Sequence, residues 1–370
     1  MRLPRLPNRV RLRHNLLLLG LSIVVSLLVL EFGLRAYDSV RGYGFFSARR
    51  NELAVAPRPL RPFRSFGYDL YQVRDGVTYV SSRHGELYPL EKPDSTVRIV
   101  AFGGSTTANH RTFNEHGVHY PSLLQEALRS RSTMNIEVIN VAHSGYATGH
   151  ALVVLALDVL SWDPDIVILS HNFNDRLAMY WADFRPDYSH MFSHPFFSVP
   201  DYRSRYTVAN ILFQHSQLYW VVKDKLARMF DDQDFPPMQR RSYGATPTAT
   251  AVEVFERNLQ SFVTVAKTGG IDVLLATQSL EPSVEWPAQL QPYNDAVTYP
   301  LHDEHVAHHA FYNDVIAKVA EETGVWFLDN DAALGGRREY FADLMHYTLR
   351  GVEALAENYA RFLVDQGVGQ

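Results

Sequence analysis

From residue 98 onward, short apolar runs rich in β-branched residues alternate with longer stretches of helical periodicity. The apolar runs predict five strands, at 98–102, 136–141, 165–170, 271–276 and 325–328. The stretches between and after them predict helices at 120–130, 148–160, 252–267, 308–323 and 349–364. Because strand–helix alternation covers both faces of a sheet, this pattern favours a parallel sheet with helices on either side. Residues 97–370 are therefore predicted to form an α/β domain.

The first 35 residues have the composition of a membrane anchor. Five arginines and no acidic residue precede residue 15, and residues 16–30 carry no charge. Extended past Glu31 by Phe32, Gly33 and Leu34, this apolar stretch is long enough to span a bilayer as a helix. The arginines orient the N-terminus to the cytoplasm. This predicts a single pass through the inner (cytoplasmic) membrane and a periplasmic or extracellular C-terminal domain. A cleaved signal peptide is the alternative, although no small-x-small cleavage site follows.

Two segments do not follow the strand–helix alternation. Residues 36–96 are polar and contain several prolines, which predicts a juxtamembrane linker and an irregular lead-in segment. Residues 176–251 are rich in aromatic residues and prolines, and a stretch of this length inside a compact domain predicts a functional insertion such as a lid. Three roles are open for its aromatic side chains, which are stacking on sugar rings, facing lipid, or packing a small core of the insertion itself.

Composition removes several classes of function. The chain has no cysteine, which excludes disulfides, thiolate zinc sites and cysteine nucleophiles. The net charge is −5 and no basic stripe is present, so no nucleic-acid partner is predicted. No G-x-G-x-x-G or P-loop pattern occurs, and no cofactor is predicted. His302, His305 and His309 lie at helical spacing and, with Asp303, form a candidate metal face, but a polar helix start explains them equally well.

The first predicted strand ends in Gly-Gly-Ser-Thr-Thr at 103–107, directly before a helical pattern. Open α/β sheets bind ligands at the carboxyl ends of their strands. The two glycines let the backbone approach a substrate closely, and the free N–H groups at a helix N-terminus favour a developing oxyanion. Ser105 is therefore a candidate nucleophile, although an ordinary turn with a helix cap has the same sequence.

A base for such a serine occurs near the C-terminus, where Asp343 and His346 lie three residues apart before the last helix. A serine is a poor nucleophile without an adjacent base. The carboxylate of Asp343 can hold one ring nitrogen of His346 and leave the other free to accept a proton. Since the chain has 16 histidines, this pair is a weak signal by itself.

Two further polar stretches follow the second and third predicted strands, at 140–145 and 171–175. In a parallel sheet both lie at the same edge as Ser105. Gly145 offers a backbone N–H and Asn174 a side-chain amide, which with the N–H of Ser105 make three donors for an oxyanion. Ser144 is the alternative nucleophile, but Gly145 beside it is better explained as an oxyanion donor.

Four blocks in this order resemble the SGNH (GDSL-type) hydrolases, and they lie at 103–107, 140–145, 173–175 and 343–346. The resemblance implies a three-layer α/β/α flavodoxin-like sandwich with a central five-stranded parallel sheet. It implies Ser105 as nucleophile, Gly145 and Asn174 as oxyanion donors beside the N–H of Ser105, and Asp343 and His346 as acid and base. Two positions depart from the family pattern, because Asn172 and Ala142 stand where glycine is usual. Asn172 is expected to narrow the site or change its loop.

The sequence therefore predicts a membrane-anchored serine esterase. The serine, aspartate and histidine order also occurs in α/β-hydrolases, but the Gly-x-Ser-x-Gly elbow that those enzymes need is absent. An O-acyl group on a cell-surface glycan, O-acetyl first, is the expected substrate. Three alternatives remain. An O-acyltransferase and a lipase or thioesterase would use the same site, whereas a membrane-tethered glycan-binding subunit would have an inactive one.

Overall fold

The structure is a computed structural model that describes residues 8–40, 68–181, 183–192, 216–219, 221–222, 225, 240–285 and 298–370. The chain divides into two compact units. The first comprises Met1–Arg58 and Val199–Phe235, and the second comprises Pro59–Ser198 and Pro236–Gln370.

The first unit contains the long helix α1 (Asn8–Val40). Among the described residues, its stretch Leu12–Tyr37 is the one helical segment long and apolar enough to cross a membrane, a property that an N-terminal signal sequence shares. Glu31 interrupts the apolar surface and pairs with Arg35, with Nε and Oε1 2.7 Å apart. Its carboxylate also accepts hydrogen bonds from the backbone N–H groups of Gln217 and Leu218, at 3.0 and 2.8 Å. These contacts satisfy a charge that would be costly to leave alone in a bilayer.

The strands of the second unit are β1 (Tyr71–Arg74), β2 (Val77–Ser81), β3 (Leu87–Pro89), β4 (Thr96–Gly103), β5 (Asn135–Asn140), β6 (Ile166–Ser170), β7 (Asp272–Ala276) and β8 (Trp326–Leu328). The last five form a parallel sheet in the order β5-β4-β6-β7-β8. This is the flavodoxin-like order, in which the second strand lies outside the first and the later strands follow on the other side. The predicted five-stranded parallel sheet is confirmed.

The helices described in the second unit are α2 (Ser105–Ala108), α3 (His110–His116), α4 (Tyr120–Arg129), α5 (Thr148–Leu157), α6 (Phe173–Ala178), α7 (Ser189–Phe192), α8 (Ala249–Thr268), α9 (His302–Thr323), α10 (Asn330–Leu334) and α11 (Leu349–Asp365). Alternate residues of β4 face opposite layers. Val100 and Phe102 pack in the core with α5, α8 and α9, whereas Ile99 and Ala101 pack with α4 and α11. This two-residue period confirms the predicted three-layer sandwich.

A three-stranded antiparallel sheet precedes the parallel sheet, in the order β1-β2-β3. The polar residues and prolines of 36–96 predicted an irregular segment here. The missed signal is Asp75-Gly76, whose φ angles of 52° and 79° are both positive, as a tight type I′ hairpin requires. Arg98 connects this sheet to the main one, because its guanidinium donates to Pro89 O and to the Glu137 carboxylate at 2.8 and 2.7 Å.

Three aromatic residues of the 176–251 segment are buried in a third apolar cluster, and Phe184 packs partly buried against it. Tyr180, Trp181 and Tyr188 lie in this cluster together with Leu344 and Met345. Since Leu344 and Met345 are the two residues between Asp343 and His346, these aromatic side chains support the loop that carries the predicted acid and base. The other predicted aromatic positions lie outside the described residues or have no described side chain, namely Phe192, Phe196, Phe197, Tyr202, Tyr206 and Phe213.

Candidate active site

Ser105, His346 and Asp343 form one hydrogen-bonded chain at the carboxyl edge of the parallel sheet. Ser105 Oγ lies 2.8 Å from His346 Nε2. On the other side of the imidazole ring, Nδ1 lies 2.8 Å from Asp343 Oδ2. Ser105 directly follows the Gly103–Gly104 turn at the end of β4, and the other two residues lie in the turn before α11. The structure therefore brings these three side chains together, although Ser105 and His346 are 241 residues apart in the sequence.

The carboxylate of Asp343 fixes the tautomer of His346. Burial opposes ionisation of Asp343, but the hydrogen bond and charge of His346 and two backbone N–H groups lower the pKa of Asp343 to about 2. Those N–H groups belong to Met345 and His346 and donate to Oδ1 at 2.9 and 2.8 Å. An ionised carboxylate only accepts hydrogen bonds, so Nδ1 carries the proton. Nε2 is then left with a lone pair that faces the hydroxyl of Ser105.

Three candidate oxyanion donors lie beside Ser105. Within the described residues, the backbone N–H groups of Ser105 and Gly145 donate to no protein acceptor. Asn174, in the first turn of α6, donates one amide hydrogen to Tyr146 O at 2.7 Å. An amide carries two hydrogens, so the second is left for a ligand. These are the three groups predicted as oxyanion donors, and their role stays a prediction.

Two glycines make this arrangement possible. A Cβ on Gly104 would lie 2.6 Å from Asn174 Nδ2, so a larger residue would displace the amide from the nucleophile turn. Gly145 has φ of 82°, a left-handed conformation that a side chain disfavours. Both glycines therefore allow a backbone segment and an amide to approach the same point beside Ser105.

Asp175, the next residue after Asn174, holds α6 to the start of α5. Its fully buried carboxylate accepts hydrogen bonds from the N–H of Thr148 at 3.1 Å, from the Thr148 hydroxyl, and from Tyr188 Oη at 3.1 Å. Burial raises the pKa of Asp175 to about 7, although these hydrogen bonds act in the opposite direction. The group therefore titrates near neutral pH next to a candidate oxyanion donor.

We expect Asp175 to make the folded state less stable as the pH rises from about 4 to about 7. Over this range the folded protein keeps the carboxyl protonated, with a pKa of about 7, whereas the unfolded chain ionises near 3.8. The native state thus binds the extra proton, and the loss between pH 5 and pH 7 is on the order of 2 kcal/mol. The measurement is the unfolding free energy of wild type minus that of Asp175→Asn across this range. A difference that does not change with pH would contradict the assignment.

The alternative metal face does not form. His302 Nε2 lies 2.8 Å from Pro282 O, His309 Nε2 lies 2.7 Å from Gln278 O, and His305 Nδ1 lies 2.8 Å from Arg176 Nη1. No group of three metal-ligating side chains is found in the part of the chain that the structure describes. The stretch from His302 to His309 is the first two turns of α9, which begins six residues before the predicted start.

Two other sequence expectations concern residues beside the triad. The imidazole Nε2 of His346 faces Ser105 rather than the alternative nucleophile Ser144. Asn172 is fully buried and points away from solvent, with its amide donating to His309 O and Asn313 Oδ1, both at 2.9 Å. The asparagine that replaces the usual glycine therefore joins α6 to α9.

Gln278 is a residue of the site that the sequence analysis missed. It lies two residues after β7, and its side-chain amide contacts Phe173 N and Thr106 Oγ1, at 2.9 and 3.0 Å. These are the neighbours of Asn174 and Ser105. The available signal was its place just past a strand end, where the other candidate residues also occur.

A parallel α/β sheet with a serine, a histidine and an aspartate joined by hydrogen bonds at its carboxyl edge is an arrangement used by serine hydrolases. The profile of the GDSL-like lipase/acylhydrolase family matches residues 101–354. The chain belongs to this family and is a hydrolase. The predicted family resemblance is confirmed.

Among curated proteins, none matches the chain. Solved structures that resemble it include LAE5, an α/β hydrolase from the metagenome of Lake Arreo in Spain, with 18% identity over 74% of this chain and 96% of that one, and a TM-score of 0.42. The acetylxylan esterase Axe2 from Geobacillus stearothermophilus has 17% identity over 72% of this chain and 93% of that one, with a TM-score of 0.41. A GDSL-like lipase from Parabacteroides merdae has 15% identity over 73% and 96%, with a TM-score of 0.42.

Proposed function

We propose that the chain is an extracytoplasmic serine esterase whose nucleophile is Ser105. The observation that carries this proposal is the hydrogen-bonded chain from Asp343 through His346 to Ser105, with both links at 2.8 Å. Family membership supplies the reaction class, and the geometry supports the roles of the individual side chains. No cofactor is needed for this chemistry.

In the first half of the reaction, His346 Nε2 takes the hydroxyl proton as Ser105 Oγ bonds to the carbonyl carbon of an ester. The carbonyl oxygen becomes an oxyanion, which the N–H groups of Ser105 and Gly145 and the amide of Asn174 stabilise. When the bond to the alcohol oxygen breaks, His346 returns the proton to that oxygen. Water then attacks the acyl-enzyme with His346 again as base, and when the bond to Ser105 Oγ breaks, His346 returns the proton to Oγ and the carboxylic acid leaves.

The exposure of the triad supports a large alcohol portion of the substrate. The side chains of His346 and Asp343 are 38% and 41% exposed, and Ser105 is half-buried. A nucleophile at an open edge of a sheet can receive an acyl group carried on a bulky acceptor. We therefore propose an O-acyl group on a cell-surface glycan as the substrate, with acetyl as the first candidate.

The location outside the cytoplasm is proposed from α1 and its flanking charge. Five arginines precede residue 15. The stretch Leu12–Tyr37, which is long and apolar enough to cross a membrane, lies at the same end of the chain. Positive residues stay on the cytoplasmic side, so the domain at 97–370 would lie outside. The test is a C-terminal fusion to a reporter that works only in the cytoplasm. Activity of this reporter would contradict the topology.

The test of the esterase proposal is the full chain, purified in detergent and supplied with p-nitrophenyl acetate. We expect steady release of nitrophenol and, after rapid quenching, a mass increase of one acetyl group on the peptide that contains Ser105. One equivalent of nitrophenol without turnover, with the acetyl retained, would favour an acyltransferase that lacks its acceptor. No reaction and no labelled peptide would contradict both enzymatic proposals and favour a binding subunit.

Asn174→Ala is expected to lower kcat about 10²- to 10³-fold with a small change in KM. The amide donates to an oxyanion that exists in the transition state and not in the bound ester, so its removal is expressed in kcat. The measurement is the steady-state kinetics of ester hydrolysis. A matched control is Asn330→Ala, which removes a buried amide that donates to Tyr359 Oη and has no contact with the triad. Equal kcat in wild type and Asn174→Ala would exclude Asn174 as a donor.

A further inference from the structure

The side chain of Gln278 connects the two halves of the candidate oxyanion hole. It is 6% exposed and lies past the end of β7. Its Oε1 accepts the N–H of Phe173 at 2.9 Å, and its Nε2 donates to Thr106 Oγ1 at 3.0 Å. Phe173 precedes Asn174, and Thr106 follows Ser105. The side-chain amide of Gln278 thus contacts the neighbours of both Ser105 and Asn174, two candidate donors that follow different strands.

The backbone of Gln278 is itself held in place by α9. Its carbonyl oxygen lies 2.7 Å from His309 Nε2 and accepts from Asn313 Nδ2 at 2.9 Å. Burial lowers the pKa of His309 to about 3, with the charge of Arg176 acting in the same direction, so the imidazole is neutral. Its Nε2–H is therefore the donor to the Gln278 carbonyl. The side-chain amide of Gln278 consequently extends from a fixed point.

Helix α6 is attached to α9 by a second set of buried contacts. Arg176 donates from Nε to Asn172 Oδ1 at 3.2 Å and from Nη1 to His305 O at 3.0 Å. Asn172 in turn donates to His309 O and to Asn313 Oδ1, and Asn313 is one of the residues that hold Gln278. Both Arg176 and Asn172 are fully buried. The polar groups below the oxyanion hole therefore form one connected network, with Gln278 at the end nearest the nucleophile.

We propose that Gln278 is a positioning residue that keeps the N–H of Ser105 and the amide of Asn174 aimed at the same point. The proposal rests on the proposed function, since it concerns the oxyanion hole of that reaction. The position needs an acceptor at one end of a planar group and a donor at the other, which an amide supplies and a carboxylate or an apolar chain does not. Small displacements of such donors weaken catalysis more than substrate binding, because the oxyanion forms in the transition state.

The first experiment measures ester hydrolysis by the full chain carrying Gln278→Met, which keeps the length of the side chain and removes both hydrogen bonds. We expect kcat to fall about 10- to 100-fold and KM to change less than about threefold. The matched control is Gln125→Met. Gln125 Oε1 accepts the N–H of Val138 at 2.9 Å and the hydroxyl of Tyr88 at 3.1 Å, so it also joins two segments, and neither of them is next to a candidate oxyanion donor. This control should lose stability and keep kcat.

A double-mutant cycle separates positioning from a general structural effect. If Gln278 acts through the hole, adding Gln278→Met to Asn174→Ala should lower kcat by a smaller factor than Gln278→Met does in the wild type, because one of the two donors that Gln278 aims is already gone. Multiplication of the two separate losses would overturn the proposal, as would a kcat for Gln278→Met equal to that of wild type. Should Gln278→Met fail to fold, Thr106→Val and Thr106→Ser replace it, and the valine variant must lower kcat more than the serine variant. Ser105→Ala separates the two possible failures. If it retains activity, the proposed function is wrong. If it is inactive and Gln278→Met keeps the wild-type kcat, only the Gln278 proposal is wrong.

Discussion

Ser105→Ala is expected to lower kcat/KM for ester hydrolysis by about 10⁴- to 10⁶-fold, the range found when the nucleophile of a serine hydrolase is removed. Among the described residues, the hydroxyl that lies within hydrogen-bond distance of His346 Nε2 is that of Ser105, at 2.8 Å. Without it no acyl-enzyme forms, and what remains is water attacking an ester that the oxyanion donors still polarise. The measurement is the initial rate with p-nitrophenyl acetate at enzyme concentrations high enough to detect the residual activity.

Ser144→Ala is the control for this substitution. Ser144 lies one residue before Gly145 and was the alternative nucleophile, so it tests whether any serine near the oxyanion loop will serve. We expect its kcat/KM to stay within about threefold of wild type. If instead Ser144→Ala loses activity and Ser105→Ala keeps it, the assignment of the nucleophile is reversed. Circular dichroism of both variants should match wild type, because neither hydroxyl is part of the apolar core.

The fold was predictable because each strand of the parallel sheet has a local pattern in the sequence. Each of the five parallel strands is a short apolar run, and each predicted strand overlaps an observed one, such as 98–102 and β4 (Thr96–Gly103). The order of strands in the sheet is set by which helices cross to which face, and the sequence alone gives no measure of that. The strand order was predicted from the family resemblance. The antiparallel sheet of β1 to β3 was missed because its strands are only three to five residues long, so periodicity is weak there.

The site residues were predictable for a different reason. Ser105, Gly145 and Asn174 all follow strands of a parallel sheet, so their position in the chain places them at one edge. Asp343 and His346 are close in sequence, and a turn of that length holds a carboxylate against an imidazole. The network of Gln278, Asn172 and Arg176 was not predictable, because its contacts join residues 4 to 172 positions apart and depend on which way each side chain points. Asn172 was expected to alter the substrate site, and its amide instead faces α9.

The same limit applies to Glu31 in the first unit. In the sequence, this carboxylate only interrupts the apolar stretch that is predicted to span a membrane. Beside Arg35, its hydrogen-bond partners are Ser216, Gln217 and Leu218, which lie 185 to 187 residues further along the chain. No local pattern connects the two segments. The contact joins residues 216–218 to the apolar helix α1 by hydrogen bonds.

Asp343→Asn is expected to lower kcat about 10⁴-fold while leaving the fold of the site intact. In the wild type, the N–H groups of Met345 and His346 both donate to Oδ1, and His346 Nδ1–H donates to Oδ2. The two backbone donors will orient the asparagine with its carbonyl oxygen in the place of Oδ1. The amide nitrogen then takes the place of Oδ2 and presents a hydrogen to Nδ1.

This substitution acts through the proton on the imidazole rather than through distance. An amide N–H facing Nδ1 requires a lone pair there, so the ring proton moves to Nε2, where it points at Ser105 and the base is lost. Asp329→Asn is the matched control, because Asp329 also accepts a backbone N–H, from Ala332 at 3.0 Å, and has no contact with His346. Kinetics from pH 5 to pH 9 should show the loss for Asp343→Asn throughout, since a carboxyl with a pKa of about 2 is ionised over that entire range in the wild type. A loss confined to one end of the pH range would mean that Asp343 acts by charge alone and does not set the tautomer.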